Sequence, residues 1–431
     1  LATLILFGSF IVLMILSVPI AFALGISSVL TLFITEKMPL NFIAQGMFTT
    51  VDSYALMAIP LFVFAGMIME YGGLSRRLID VAKSFVGHYT GGLAGVAIVA
   101  CTIFAALSGS GPATVAAIGG IMVPAMVKEG YDKGFSSGVV ASSGTLGIII
   151  PPSIPLIIYG IVTSTSIGDL FIAGVIPGLF IAAVLWGVSY IFSKKRNYVG
   201  SETKPSWKER FKYINEAKWT LLMPVVVLGG IYGGIFTPTE AAGVAVGYSA
   251  ILGILIYKEV KWKDSIELFK RTALISGIIL IIIATASTYG RILTVERIPV
   301  MIADFLTSLP VGSWVIIALI VLLLIFIGMF METVAGIILL APILLPVVTE
   351  LGMEPVHFGI VMILAAEIGF LTPPVGDNLN VASAISGLSL EQVAKSTLPF
   401  TITLIILLFI MTFFEPLIMF LPDLIGTTGG G

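Results

Sequence analysis

Ser108, Ser110, Thr145, Ser153, Thr333 and Thr372 set uncharged hydroxyls beside glycine and proline in otherwise apolar sequence. Gly and Pro remove or loosen backbone hydrogen bonds, so each break frees peptide carbonyl oxygens. Carbonyls and hydroxyls together can replace the hydration shell of a small hard cation, and sodium suits such ligands. A tetrahedral transition-metal site does not fit, because Cys101 is alone and His88 and His357 fall at predicted helix ends far apart in the chain.

Three carboxylates, Glu332, Glu367 and Asp377, lie in apolar surroundings, where an acidic group is by default a functional candidate. Glu332 precedes a predicted helix, so stabilising its N-terminal dipole and touching a solute fit it equally. Asp377, beside Asn378 and Asn380, follows a Pro-Pro break, and capping and solute binding again compare. The half-helix N-termini after each break carry partial positive charge that suits an organic anion's carboxylate. The candidates for solute contact are Thr145, Glu332, Thr333, Asp377 and Asn378.

The elements that must carry these residues form an internal repeat. Ala113-Thr-Val-Ala-Ala-Ile118 parallels Glu332-Thr-Val-Ala-Gly-Ile337, and an offset of 222 carries Gly130 to Gly352, Gly147 to Gly369 and Pro151-Pro152 to Pro373-Pro374. Each copy reads as a helical hairpin (91–128 and 312–349) followed by a broken helix (134–166 and 355–386), giving repeats at 91–193 and 291–396. Four full spans between the broken helices make the copies inverted. Lipid cannot satisfy exposed peptide groups, so the four breaks are expected to meet around a polar cavity near the midplane.

The rest of the chain agrees with a bilayer as solvent. Of 431 residues 58% are hydrophobic and 11% charged, where a soluble domain carries roughly 25% charged residues. Apolar runs such as 4–33 and 398–421 exceed the ~20 residues a spanning helix needs. The fold class is therefore an all-α polytopic membrane protein. A formal charge of −2 points to no nucleic-acid partner. Eight Lys and Arg between 194 and 218 and five between 258 and 271 read as cytoplasmic loops, whereas 298–394 holds none and reads as the outer side. Trp207, Trp219 and Trp262 mark an interface. Residues 1–90 are expected to be scaffold helices with a cytoplasmic N-terminus, 194–290 the basic loops and further scaffold, and 397–425 one C-terminal membrane helix. Residues 1–33 lack a basic leader and a small-residue cleavage site, so they read as a first span rather than a signal peptide, and 426–431 as a cloning scar.

Several classes are set aside on these residues. No Gly-x-x-x-x-Gly-Lys-[Ser/Thr] phosphate loop occurs, which argues against a primary pump in this chain. An intramembrane serine hydrolase built on Gly109-Ser110-Gly111 lacks a base, since His88 and His357 are placed at opposite ends of the membrane. A channel would share the carbonyl sites, but two inverted hairpins in one chain favour alternating access.

At Ser108-Gly-Ser-Gly-Pro-Ala-Thr114, Gly144-Thr-Leu-Gly-Ile-Ile-Ile-Pro-Pro-Ser153, Thr237-Pro-Thr-Glu-Ala-Ala242 and Gly369-Phe-Leu-Thr-Pro-Pro-Val-Gly-Asp-Asn378 the sequence resembles the large membrane subunit of the tripartite ATP-independent periplasmic (TRAP) transporters. The likeness covers nearly the whole chain. It implies a bacterial inner-membrane importer working as an elevator, with hairpins and broken helices moving as one transport domain. It also implies sodium coupling, a separate small four-helix membrane subunit, and a periplasmic binding protein that delivers a small carboxylate. Overall similarity leans to sialic acid over C4-dicarboxylates. By the same likeness one sodium belongs among Ser108, Ser110, Gly147, Ile150 and Ser153, and a second among Gly328, Gly369, Thr372 and Val375.

Overall fold

The apolar runs fold as helices from end to end, and a computed structural model describes residues 2–36, 39, 41–200, 204–308 and 310–425, so the tail at 426–431 lies outside it. Among the described residues there is no strand, and nine helices are long and apolar enough to cross a membrane. Leu4, Phe33, Leu255 and Leu274 are each at least 60% exposed. So much outward-facing apolar surface is at home against lipid tails and not in water.

The first run is not one span. It divides into α1 (Ala2–Ile15) and α2 (Ile20–Thr35), which pack on each other. Ser17 takes a left-handed φ of 59° and Pro19 restarts the chain, so α1 cannot continue. α3 (Asn41–Val51), α4 (Ala58–Tyr71) and α5 (Leu74–Val86) follow. α5 buries Leu74, Leu78 and Ala82 and turns Arg76 and Lys83 outward.

The first helical pair is α6 (Gly92–Ser108) and α7 (Gly111–Lys128), joined by two residues. Gly109 ends α6 with φ 62°, a left-handed turn that glycine takes without a Cβ clash. The next helix is broken into α8 (Lys133–Ser143), the single turn α9 (Leu146–Ile149) and α10 (Ile154–Thr163). Asp132 caps α8 by accepting from Phe135 N at 2.8 Å, and Ser153 caps α10 through Leu156 N at 3.4 Å. α11 (Ile167–Lys195) then runs 29 residues.

The two basic clusters are not simple loops. α12 (Trp207–Tyr232) starts inside the first, because Ser206 and Glu209 form a capping box ahead of the apolar run. α13 (Pro238–Ala250) begins with the Thr237–Glu240 capping box and continues into a π turn, Ile251–Ile256. α14 (Asp264–Val295) starts inside the second cluster, where Asp264 accepts from Lys261 N at 2.9 Å. α15 (Ile298–Thr307) leads to the second pair, α16 (Ser313–Gly328) and α17 (Thr333–Glu350), and to the second broken helix, α18 (Pro355–Gly369) and α19 (Asp377–Ser386). The C-terminal run is again two helices, α20 (Leu390–Phe413) and α21 (Pro416–Ile425), parted where Phe414 leaves helical dihedrals and Pro416 cannot extend α20.

The turn after each pair is duplicated bond for bond. Tyr131 N donates to Met126 O and Gly130 N to Val127 O, both at 3.0 Å; 222 residues on, Met353 N donates to Val348 O at 2.9 Å and Gly352 N to Thr349 O at 3.0 Å. Gly130 and Gly352 both have positive φ, 84° and 91°. The copies also interlock: α10 of the first packs on α17 of the second, and α19 of the second on α7 of the first. Around this core, α4 packs on α13, and α14 on α2, α3 and α4, while α5 touches both groupings through α12 and α6.

Candidate functional site

Interlocking brings both pair tips and both helix breaks to one place. A cavity of about 130 Å³ is lined by Ser110, Gly111 and Pro112 from the first tip and by Glu332, Thr333 and Val334 from the second. The first break contributes Ile148 and Ile154, and the second Glu367, Phe370 and Asp377. One further wall comes from Ile275 and Ile279 of α14. The cavity thus lies between the repeats and a helix outside them.

Each tip is pinned to its own broken helix by backbone. Ile154 N donates to Gly109 O, and Val375 N to Met329 O, each at 3.3 Å. At the first tip, Ser108 Oγ lies 2.9 Å from Thr114 Oγ1, and Thr114 Oγ1 donates to Ser110 O at 2.8 Å. Gly147 is pressed onto this cluster: a Cβ there would stand 2.7 Å from Thr114 Oγ1 and 2.7 Å from the carbonyl carbon of Ser110. A Cβ on Gly109 would meet Pro152 O at 2.8 Å, which sets the tip against the segment ending at Ser153. Ser153 Oγ donates to Ile148 O at 2.5 Å.

Ser108, Ser110, Gly147 and Ser153 therefore converge. Ile150 sits in the same break with extended dihedrals and packs its side chain on Gly178. Thr114 joins them although sequence reasoning did not select it; the signal was its place four residues after Ser110, one helical turn away. The oxygens gathered there are hydroxyls and carbonyls without charge, a donor set that fits a sodium ion.

The second group, Gly328, Gly369, Thr372 and Val375, gathers at the other tip. A Cβ on Gly369 would stand 2.6 Å from Gly328 Cα and 2.7 Å from Ile325 O, and one on Gly328 would stand 2.5 Å from Ala366 O. Only glycines allow this approach of two backbones. Thr372 Oγ1 is 3.5 Å from Ile368 O, so its hydroxyl is only loosely engaged, and this set is again made of neutral oxygens.

The solute candidates separate. Glu332, Thr333 and Asp377 line the cavity, and Thr333 Oγ1 is buried without a hydrogen-bond partner. Thr145 is not on the wall: it is fully buried and its hydroxyl donates to Ser142 O at 2.8 Å. Asn378 sits behind the wall, where its Nδ2 donates to Glu367 Oε1 at 2.7 Å. Ile275 and Ile279 were missed because two isoleucines in a long apolar run carry no sequence signal. Neither histidine lines the cavity, and His357 Nε2 is engaged with Met411 O at 2.9 Å. Ser110 therefore has no histidine beside it on the cavity wall.

Comparison with known proteins gives one answer over the same length. Residues 7–417 match the family model described as the tripartite ATP-independent periplasmic transporter, DctM component. The isethionate TRAP transporter permease protein DctMQ of Oleidesulfovibrio alaskensis is 43% identical over 96% of this chain, which spans 66% of that relative's length. The C4-dicarboxylate TRAP transporter large permease protein DctM of Pseudomonas aeruginosa is 42% identical, with 94% of each chain covered. The sialic acid TRAP transporter large permease protein SiaM of Vibrio cholerae is 38% identical over 94% of this chain and 95% of its own. In fold alone, the chain is similar to the crystal structure of the Alcanivorax borkumensis YdaH transporter, with a TM-score of 0.59, 14% identity and 86% of each chain covered.

Proposed function

The chain belongs to the DctM family of tripartite ATP-independent periplasmic transporters, a family of permeases and not of enzymes, and from that premise we propose that it imports a small organic anion in symport with sodium. The observation that carries this reading is the single cavity shared by both tips and both helix breaks. Both tips and both breaks, where the chain leaves regular helix, reach its walls, and broken helices meeting from two repeats are the architecture of an alternating-access site.

Sodium supplies the gradient and the positive charge that a cluster of inward-facing oxygens needs. Ser108, Ser110, Gly147, Ile150 and Ser153 would hold one ion, and Gly328, Gly369, Thr372 and Val375 the other. Each set joins a tip to its broken helix, so binding there would hold each tip closed over the cavity. The paired helices are re-entrant and inverted in this reading, and together with the broken helices they move as an elevator against α14 and its neighbours. The apolar wall of Ile275 and Ile279 offers no fixed hydrogen bonds to break as it slides.

The solute class is set by what the relatives share. Their names cover isethionate, C4-dicarboxylates and sialic acid, each a small organic acid. The sequence leaning to sialic acid gains nothing from the identities, which are 43% and 42% for the first two and 38% for the third. Partners in this reading are a small membrane subunit and a periplasmic binding protein; the site is the bacterial inner membrane. The test is uptake of labelled isethionate, succinate and sialic acid into proteoliposomes holding all three components, with and without an inward sodium gradient. Uptake that requires both sodium and the binding protein supports the reading and names the solute. Flux independent of either overturns it.

A further inference from the structure

We propose that a second cavity, which shares no residue with the solute cavity, binds a phosphate group through Lys83, Lys128 and the Tyr131 hydroxyl, and so ties α5 to the first helical pair. This binding is independent of the transport reading.

The space is about 200 Å³. Lys83 and Gly87 of α5, Leu93 at the start of α6, and Lys128 and Glu129 at the end of α7 face it, with Tyr131 beside them. A single water needs only roughly 10–15 Å³ of such space, so a polyatomic ion fits. Val199 and Gly200 complete the wall, which puts the cavity on the face that the first basic cluster marks.

The turn that carries Tyr131 is duplicated, but its chemistry is not. An offset of 222 puts Met353 where Tyr131 stands and Glu350 where Lys128 stands. Both turns form with the same backbone bonds, and a thioether serves the second. Neither a phenol nor a cation is therefore needed for the turn to fold.

What the phenol lacks is an acceptor. Tyr131 is 4% exposed, its ring is stacked on Tyr198 with centroids 4.2 Å apart, and its hydroxyl completes no hydrogen bond. The backbone N–H of Leu93 faces the hydroxyl oxygen, so it is the O–H that remains unspent. Buried polar groups are rarely left so. Glu129 shares the wall but is exposed and does not take the proton.

Charge names the class of ligand. Lys83 and Lys128 are exposed on the same wall, and among the described residues neither is held in an ion pair. Glu129 offsets one of these charges, and Asp80, within reach of Lys83, is also drawn to Arg76. Lys204 and Arg210 add positive field at the rim, where they act on His88 beside Gly87. Two ammonium groups and a phenol donor from separate elements call for an anion with acceptors in several directions. A carboxylate has two oxygens in one plane, whereas a phosphate offers three strong acceptor oxygens, and lysine binds phosphate as a point charge. The start of α6, a 17-residue helix, adds its dipole in the same sense. Free phosphate and a lipid headgroup share this chemistry.

Thermal unfolding of the purified protein separates the two sources. In neutral detergent, potassium phosphate is raised against potassium chloride at equal ionic strength; in phosphatidylcholine nanodiscs, phosphatidylglycerol replaces part of the lipid. A saturable rise in the midpoint, as a ligand of the folded state produces, is expected in at least one arm. In detergent it identifies free phosphate, and in nanodiscs alone a lipid headgroup. In that arm Lys83→Gln with Lys128→Gln should weaken the apparent Kd by about tenfold or more, and Tyr131→Phe by about fivefold. Lys195→Gln, at the end of α11 and off the cavity wall, should leave it unchanged. No saturable rise in either arm, or one Kd for all the variants, overturns the proposal. If the double lysine variant does not fold, Tyr131→Phe decides, because it removes one O–H and keeps the ring; an unchanged Kd there overturns the site. Sodium and solute are absent from both arms, so a failure of uptake would strike the transport reading alone.

Discussion

The carboxylate of Glu367 occupies the place where a side chain on Gly111 would begin, so a residue of the second repeat closes the space beside the tip of the first. A Cβ on Gly111 would overlap Glu367 Oε1 and stand 3.2 Å from Gly144 O. Gly111→Ala should therefore separate tip from wall, lower stability by about 1–3 kcal/mol as an overpacked site does, and abolish uptake. Gly120, in the same helix, has no neighbour within 4 Å of its would-be Cβ. Gly120→Ala should leave uptake intact and raise stability by roughly 0.5–1 kcal/mol. Thermal midpoints and uptake of the two variants, side by side, check the contrast.

Thr333 and Thr145 carry the same hydroxyl in opposite situations. Thr333 Oγ1 is unpartnered at the cavity wall, and Thr145 Oγ1 is already spent on Ser142 O. Thr333→Val should raise the solute KM by about fivefold, the equivalent of one hydrogen bond near 1 kcal/mol. Thr145→Val should leave KM unchanged and cost about 1 kcal/mol of stability. A KM shift in Thr145→Val alone would refute this placement of the solute.

Sodium dependence should respond to hydroxyls at both tips. Ser110 caps no backbone group with its side chain and Thr372 is only loosely bonded at 3.5 Å, so both oxygens are free to serve a cation. Ser110→Ala and Thr372→Ala should each raise the sodium concentration for half-maximal uptake by roughly three- to tenfold, about 1 kcal/mol, without unfolding. Normal uptake by both at limiting sodium would leave the ligand set to backbone carbonyls alone.

Much of this was legible in the chain because the signals are local. Gly130 and Gly352 announce the same left-handed turn in both copies, and the Thr237–Glu240 box is written in consecutive residues. Helix ends inside long apolar runs were not legible, since hydropathy is blind to where Ser17 or Phe414 turns the chain. Local bonding likewise beat charge: the Ser206 cap and the turn closed by Asp264 on Lys261 N start helices within basic clusters that composition alone assigns to loops. At the site, the tips could be picked out by their Gly, Pro and Ser content. The wall supplied by Ile275 and Ile279 depends on α14 packing against tips and breaks elsewhere in the chain, which no local pattern encodes, while Thr145 and Asn378 are taken up by Ser142 and Glu367, bonds that residue type alone does not announce.

Away from the cavity, Arg77 clamps α5 to the turn that follows the π segment. Its Nη2 lies 2.7 Å from Glu259 Oε1, its Nη1 donates to Gly73 O at 3.0 Å, and its guanidinium stands 3.8 Å from the centre of the Tyr257 ring. An exposed ion pair alone contributes up to ~1 kcal/mol, and stacking on an aromatic face adds about 0.5–1 kcal/mol. The two parts differ in their response to ions: at 1 M salt the screening length falls to ~3 Å, which removes most of the ion-pair share and little of the stacking. Arg77→Gln should thus lower the thermal midpoint at low salt, with the gap narrowing but not closing in 1 M choline chloride. Arg77→Lys should lose more of the stacking than of the charge, because an ammonium is neither planar nor forked. As none of these residues lines the cavity, both variants should keep wild-type sodium dependence; a change there would tie the clamp to the transport cycle instead of to stability.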